Sequence, residues 1–337
     1  MKRCFVFFVF GTQLFFYQNN FVLSATRTIT LATRSSLTQP HHRIQETKKQ
    51  AKQQLKEAFS NGRDLLISLT DKKPSAKLFA FDWDGVITEE KGYYENAWAA
   101  LIDMMAHSKE ELPFKLSDEA IATATAFRKQ TRGHEYGKRF ASLRKKYNAS
   151  DKKFSDKRCI ELFWESVFIQ ANKEFSNNLN KWVYPLSEKF LKETRNLRGN
   201  FPLIVVSANV QESIECLAKQ LQIGALFTEI HGHPLLSSEE SPRDKTVILK
   251  ELERKYELKE NELIFFGDAP SDIEFGKKAK VITVGIANNY ENGLKLIETG
   301  ADFVLTRLTP TNEILMKFGV TKSTRSSNQS NLEEFSI

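Results

Sequence analysis

Cysteine is scarce in this chain. Cys4, Cys159 and Cys216 are the only three among 337 residues. They are too few and too scattered for a disulfide framework or a four-ligand zinc site. Cys159 and Cys216 read as small buried hydrophobes, with a bridge between them as the alternative in an exported chain. Long apolar runs are missing too. The longest, Cys4 to Tyr17, falls short of the roughly 20 residues that a membrane-spanning helix needs. Internal repeats and long low-complexity tracts do not occur, which removes repeat architectures. Acid is absent before Glu46, and this lopsidedness explains the net charge of +7. Residues 1–61 hold nine of the 49 basic and two of the 42 acidic residues, so the remainder is balanced at 40 of each. A domain that grips a phosphate backbone carries its basic excess on the folded part. No nucleic-acid partner is therefore expected.

The acid-free beginning has a pattern of its own. Met1-Lys2-Arg3 precedes the Phe-rich run, and Leu23-Ser24-Ala25 offers a small-residue cleavage point. This resembles a signal peptide over 1–25, implying export and no stable membrane span in the mature protein. The Ser, Thr and Arg content of 24–38 also suits an organelle transit peptide, and an uncleaved anchor is the remaining reading. Residues 26–76 read as a basic linker and helical extension, with a helix over 44–61 and a further short helix over 64–69. The polar stretch 319–337 reads as a disordered tail.

From Lys77 the pattern changes. Short apolar runs appear at 78–81, 203–206, 263–266, 281–284 and 303–305, separated by helical stretches such as 210–221, 246–256 and 272–278. Short continuous apolar runs suit parallel strands buried on both faces. Their alternation with helices predicts an α/β fold with a doubly wound, Rossmann-like parallel sheet. Three of these strands run into polar residues: Asp82-Trp83-Asp84-Gly85, Ser207-Ala208-Asn209, and Gly267-Asp268-Ala269-Pro270-Ser271-Asp272. Open parallel sheets bind ligands beyond the carboxyl ends of their strands, so these groups are expected to share one crevice.

The acids carry the chemistry. Asp82 and Asp84, two apart at a strand end, point the same way, and Trp83 between them turns into the core. Gly85 permits a sharp turn. Asp268 and Asp272 add two more carboxylates at a neighbouring strand end. Carboxylates crowded together repel unless a cation sits between them. A set of hard oxygen ligands suits Mg²⁺, which keeps several waters and binds substrate phosphate.

In order along the chain, Phe81-Asp82-Trp83-Asp84-Gly85-Val86, Val205-Val206-Ser207-Ala208-Asn209, Arg243-Asp244-Lys245 and Phe266-Gly267-Asp268-Ala269-Pro270-Ser271-Asp272 resemble the four signature motifs of the haloacid-dehalogenase-like superfamily. The resemblance spans about residues 77–310 and is nearest to the phosphoglycolate-phosphatase-like members. It implies a Mg²⁺-dependent phosphatase acting on a small phosphorylated metabolite. Asp82 would be the nucleophile that carries an aspartyl-phosphate, and Asp84 the general acid and base, its backbone carbonyl also on the metal. Ser207, with Ala208 and Asn209, would bind the phosphoryl group. Lys245 would neutralise charge, with Arg243 as a substitute. Asp268 would ligate Mg²⁺ and Asp272 would ligate or support it. Trp83 is an unusual middle residue for the first motif. Dehalogenating members lack the second Asp, and ion pumps carry Asp-Lys-Thr-Gly-Thr there, so Asp84 favours phosphoryl chemistry. A sugar phosphomutase shares these motifs and is the alternative, followed by a non-catalytic phosphate-binding or scaffold protein.

The separation of Asp84 from Ser207 is far longer than the ~30 residues of a βαβ unit. Helical patterns at 93–107, 117–130, 136–147, 155–175 and 186–197 predict an inserted helical cap over 93–199. The sheet domain would then comprise 77–92 and 200–318. Within the cap, Thr131-Arg132-Gly133-His134 reads either as a loop that brings Arg132 to an anionic leaving group or as a solvated turn. His231-Gly232-His233-Pro234 reads as a loop without metal ligands around it.

Overall fold

The computed structural model describes residues 27–29, 40–89, 93–113, 115–131, 136–174, 182–233, 244–309 and 312–320. The leader expected over 1–25, Arg132 and His134 of the cap loop, Arg243, and the tail from 321 onward lie outside them. Among the described residues, no helix is long and apolar enough to cross a membrane.

Each apolar run forms a strand. Among the described residues the sheet has eight strands; with β1 (Arg27–Ile29), β2 (Leu65–Ser68) and β5 (Glu229–His233) at its margins, the order is β1-β2-β8-β7-β6-β3-β4-β5. Its centre is β3 (Leu78–Phe81), flanked by β6 (Leu263–Gly267) and β4 (Leu203–Val210), with β7 (Ile282–Ile286) and β8 (Phe303–Leu305) beyond β6. All of these pair in parallel. Side chains alternate across a strand, and this splits β3 between two cores. Phe79 and Phe81 face one side, where Phe79 meets Phe266 edge-on at 5.2 Å and Phe81 stacks on it at 4.9 Å. Leu78 and Ala80 face the other side and pack with Ile248, Leu249 and Leu252 of α8 (Lys245–Lys255).

Between β3 and β4 lie five helices: α2 (Tyr93–Ala106), α3 (Asp118–Gln130), α4 (Tyr136–Tyr147), α5 (Asp156–Glu174) and α6 (Pro185–Leu197). The first four converge on Trp98 of α2. Its ring lies 5.4 Å from Phe127, 5.5 Å from Phe140 and 5.0 Å from Phe163, one on each of the other three helices. The fifth behaves differently from the cap expected over 93–199. Phe190 of α6 packs 5.7 Å from Phe79 and 5.8 Å from Phe266, so α6 covers the sheet.

The structure corrects several other readings. Residues 64–69, read as a short helix, contain strand β2 (Leu65–Ser68), buried along its whole length. Four consecutive buried residues are too short a run for a helix, and β8 satisfies their backbone through antiparallel pairing of Leu66 with Leu305 and Ile67 with Val304. The sheet is therefore mostly rather than wholly parallel. Of residues 231–234, read as a loop, His231 to His233 belong to edge strand β5 (Glu229–His233) beside β4. An edge strand needs little apolar content, so the sequence carries no apolar run to mark it. Cys216 is exposed, whereas Cys159 is buried, and both are free thiols. Val320, placed in the tail by its sequence, is buried in the core.

The extension before Lys77 is more than a linker. Helix α1 (Pro40–Ser60) lays Ala51, Leu55 and Ala58 into a cluster with Leu296 and Ile297 of α10 (Tyr290–Thr299) and Val304 of β8. Leu55 seats against Gly293, where a Cβ would fall 2.6 Å from its Cδ2. Replacing Leu55 by Ala should cost about 2–5 kcal/mol, the usual range for a buried leucine, in urea unfolding of the full chain. A cost near zero would mean that the extension does not share the core.

Candidate active site

Beyond Phe81 the chain leaves β3 and turns back through residues 82–88. The turn is closed by Gly85 N donating to Thr88 O at 2.8 Å and Thr88 N donating to Trp83 O at 3.0 Å. Gly85 adopts φ +74°, open to glycine at no steric cost. Its missing side chain matters equally. A Cβ there would stand 2.1 Å from Asp268 Oδ2, so only glycine lets the loop after β6 rest against the loop after β3. Trp83 is fully buried, as its alternation predicts.

Asp82 stands at the carboxyl end of the sheet, its side chain 14% exposed. Its Oδ1 accepts from Trp83 N at 2.7 Å, and its Oδ2 lies 3.0 Å from Lys245 Nζ. Lys245 opens α8, whose preceding residue Asp244 caps the helix by accepting from Thr246 N at 2.9 Å. The same ammonium lies 2.7 Å from Asp272 Oδ1. Asp272 sits in the first turn of α9 (Pro270–Ala279), where its Oδ2 accepts from Ala269 N at 3.1 Å. Burial opposes the charge on Lys245, but Asp272 and Asp82 outweigh it and hold the ammonium above its ordinary range.

Asp84 points into a separate cluster of donors. Tyr94 Oη donates to Oδ1 at 2.7 Å, Thr88 Oγ1 to Oδ1 at 3.2 Å, and Asn209 Nδ2 to Oδ2 at 2.5 Å. Ser207 is buried within β4, just past Val206, where the regular pairing with β5 shifts, and its Oγ accepts from Asn209 N at 3.2 Å. Ala208 is exposed beside it. Asn209, read as a substrate contact, has its side-chain amide committed to Asp84.

The expected metal ligands resolve into two groups. Asp82, Asp268 and Asp272 each present a carboxylate oxygen, and the three oxygens lie within 4.8 Å of one another. The Asp84 carboxylate is outside that group, held by its three donors. Asp272 spends its oxygens on Lys245 and Ala269 N, which suits a supporting role better than direct ligation. The set fits Mg²⁺ on two grounds. The donors are hard oxygens, and the cradle that Gly85 leaves for Asp268 brings a second carboxylate to Asp82. Asp82 and Asp268 would hold the ion.

Tyr94, Thr88, Asn288 and Asn292 are site residues that sequence reasoning missed. Tyr94 comes from the cap, and no local spacing marks it. Asn288 Nδ2 donates to Gly85 O at 3.1 Å and to Asp268 Oδ2 at 3.3 Å, while Asn292 Nδ2 donates to Asp268 O at 2.7 Å. Asn288 and Asn289 follow β7, as Asp82 follows β3 and Asp268 follows β6, so a polar end on a further apolar run was the available signal.

A sheet with this strand order, two aspartates beyond its central strand and a lysine bridging to a third defines a hydrolase class. A family model described as haloacid dehalogenase-like hydrolase matches residues 76–280, and the chain belongs to that family. A curated phosphoglycolate phosphatase from Vibrio parahaemolyticus is 24% identical over 155 residues, 46% of this chain, and the chain spans 63% of that relative's length. Among solved structures, a haloacid dehalogenase-like family hydrolase from Streptococcus pneumoniae is 18% identical with a TM-score of 0.47, covering 72% of this chain and 98% of its own. A β-phosphoglucomutase from Clostridium difficile is likewise 18% identical at TM-score 0.47, covering 72% and 97%.

Burial pushes the Asp82 carboxyl up to about 7, helped by Asp272 and Asp84 and opposed by Lys245. An unfolded chain releases this proton near 4, the ordinary aspartate value. Between about pH 4 and 7 the folded state therefore binds the extra proton, and Asp82 withdraws stability as pH rises; above 7 that loss is complete. In chelator-treated protein, Asp82→Asn should be more stable than the parent, by up to roughly 4 kcal/mol at high pH. The gap should widen between pH 5 and pH 8 in denaturant titrations. Parallel pH profiles for the two proteins would contradict it.

Proposed function

We propose that this haloacid-dehalogenase-like hydrolase is a phosphatase that removes the phosphoryl group from a small phosphomonoester through an aspartyl-phosphate on Asp82. The observation that carries the reading is Lys245, which joins Asp82 to Asp272 at 3.0 and 2.7 Å. The loop after β3, the start of α8 and the start of α9 thus meet at one ammonium.

The residues divide the work. Asp82 attacks phosphorus through a carboxylate oxygen, and the bond from phosphorus to the ester oxygen breaks. Splitting the displacement in two lowers each barrier. Asp84 gives its proton to the leaving oxygen, then takes one from the water that attacks the phosphoenzyme. That second attack breaks the bond to Asp82 and releases inorganic phosphate. Ser207 already accepts from Asn209 N, so its own hydroxyl hydrogen is the donor it offers a phosphoryl oxygen. Lys245 holds Asp82 oriented and places positive charge where negative charge accumulates on the transferring group. Asp82 and Asp268 would hold a Mg²⁺, whose charge would favour the ionised form of Asp82 and offset that of the phosphate.

Tyr94 brings the cap into this scheme. It belongs to α2, its ring stacks near Phe163 at 6.1 Å, and Arg128 of α3 lies over it at 5.6 Å. Its hydroxyl reaches Asp84 at 2.7 Å. With Asn209 on the other oxygen, the carboxyl is held from both sides, aimed at the place a leaving oxygen would occupy. A helical cap that reaches the acid itself would exclude water from the reacting atoms.

Purified protein should hydrolyse an aryl phosphate in Mg²⁺ and stop when the ion is chelated. Asp82→Asn should lose at least about a thousandfold in kcat, and a variant that keeps its rate would remove Asp82 from the nucleophile's role. A phosphoenzyme that persists until a sugar phosphate is added would replace hydrolysis with transfer. Tyr94→Phe, which deletes only the hydroxyl, should slow alkyl phosphates by about tenfold. It should barely affect an aryl phosphate whose leaving group needs no proton. Equal losses on both ester types would assign Tyr94 to packing alone.

A further inference from the structure

The loop after β7 does not belong to any of the four motifs, yet it touches two of them. Asn288 directs one amide nitrogen at Gly85 O, 3.1 Å away, and at Asp268 Oδ2, 3.3 Å away. Both partners are acceptors, so the amide must present its NH₂ to them and its orientation is decided. Asn292 works one turn later. Its Nδ2 donates to Asp268 O at 2.7 Å, while its Oδ1 accepts from Asn288 N at 3.3 Å. The second amide is therefore also fixed in orientation, and it locks the first in place. Asn289 completes the unit by accepting from Asn292 N at 2.8 Å, which caps α10.

We propose that Asn288 and Asn292 are positioning residues for the divalent cation, acting through Asp268. Asn292 fixes the backbone of Asp268, and Asn288 fixes the rotation of its carboxylate. The Gly85 carbonyl ties both to the nucleophile loop. Rotation matters because a carboxylate free to turn about its Cβ–Cγ bond loses conformational freedom each time it binds the ion. One held by an outer donor has already lost that freedom.

The unit is braced from behind. Gly293 follows Asn292 directly, and Leu55 of α1 fills the space a side chain would take there. At the far end of α10, Lys48 Nζ donates to Glu298 O at 3.0 Å, and Lys52 pairs with the Glu298 carboxylate. The N-terminal extension thus clamps the helix whose first turn grips Asp268. Asn288 itself is exposed at the mouth of the site, so removing its amide opens no core cavity.

This inference rests on the metal reading above, and the experiment separates the two. Mn²⁺ binding to the full chain is measured by electron paramagnetic resonance with no substrate present, alongside the unfolding midpoint of the metal-free protein. The expected result is that the parent binds Mn²⁺, Asp268→Ala does not, and Asn288→Ala and Asn292→Ala each bind about tenfold more weakly. The metal-free midpoint of Asn288→Ala should match that of the parent. If Asn292→Ala fails to fold, Asn288→Ala alone decides the matter. Parent-like Mn²⁺ affinity in Asn288→Ala, with Asp268→Ala inactive in binding, would overturn the positioning role and leave the metal site standing. A parent that binds no Mn²⁺ would overturn both.

Discussion

The salt bridge from Lys245 to Asp82 and Asp272 is the interaction on which the rest of the site depends. Isolated carboxylates at the end of a buried sheet would repel one another and take up protons. A single ammonium at 3.0 and 2.7 Å holds two of them in place without neutralising the whole cluster. Asp268 brings a third carboxylate oxygen within 4.8 Å of those of Asp82 and Asp272, and crowded carboxylates would favour a cation between them. Lys245 can do this because it opens a helix that packs on the same sheet face as Leu78 and Ala80. The position of its charge is thus set by the packing of Ile248, Leu249 and Leu252 one and two turns later.

Around that bridge the chain builds two supports from opposite directions. The cap supplies Tyr94, whose hydroxyl reaches Asp84. The β7 loop and the N-terminal extension supply Asn288, Asn292 and the brace behind them, which reach Asp268 from the outer end of the sheet. Neither support contains a motif residue. Both work through hydrogen bonds that fix a carboxylate already placed by the sheet. The precision of the site therefore resides in parts of the chain that carry no signature of the chemistry.

Much of the fold was legible because buried parallel strands are rich in apolar residues: β3 and β8 are apolar throughout, β6 up to its closing Gly267, and β4 opens on four apolar residues before Ser207. The cap helices were legible for a similar reason, since each needs a one-sided apolar stripe. Where the pattern failed, a specific cause can be named. β5 is an edge strand whose Glu229 and His231 carry no apolar run. β2 is so short that its four buried residues fit either period. The assignment of α6 to the cap failed because its apolar stripe says that it is buried and not what buries it; Phe190 happens to face Phe79 and Phe266.

The sequence by itself determined which residues stand at the ends of strands. Asp82 and Asp268 directly follow β3 and β6, and Ser207 follows the apolar run that opens β4. It also determined that Trp83 would turn inward and that a glycine would follow Asp84. What only the tertiary structure decided is who meets whom. Tyr94 on Asp84, Asn209 on the same carboxyl, and Asn288 on Asp268 join residues 10, 125 and 20 positions apart. Contacts of that kind are set by how helices and loops pack over the sheet's edge. Local periodicity reports which face of an element is buried, but it contains no term for the partner across the gap.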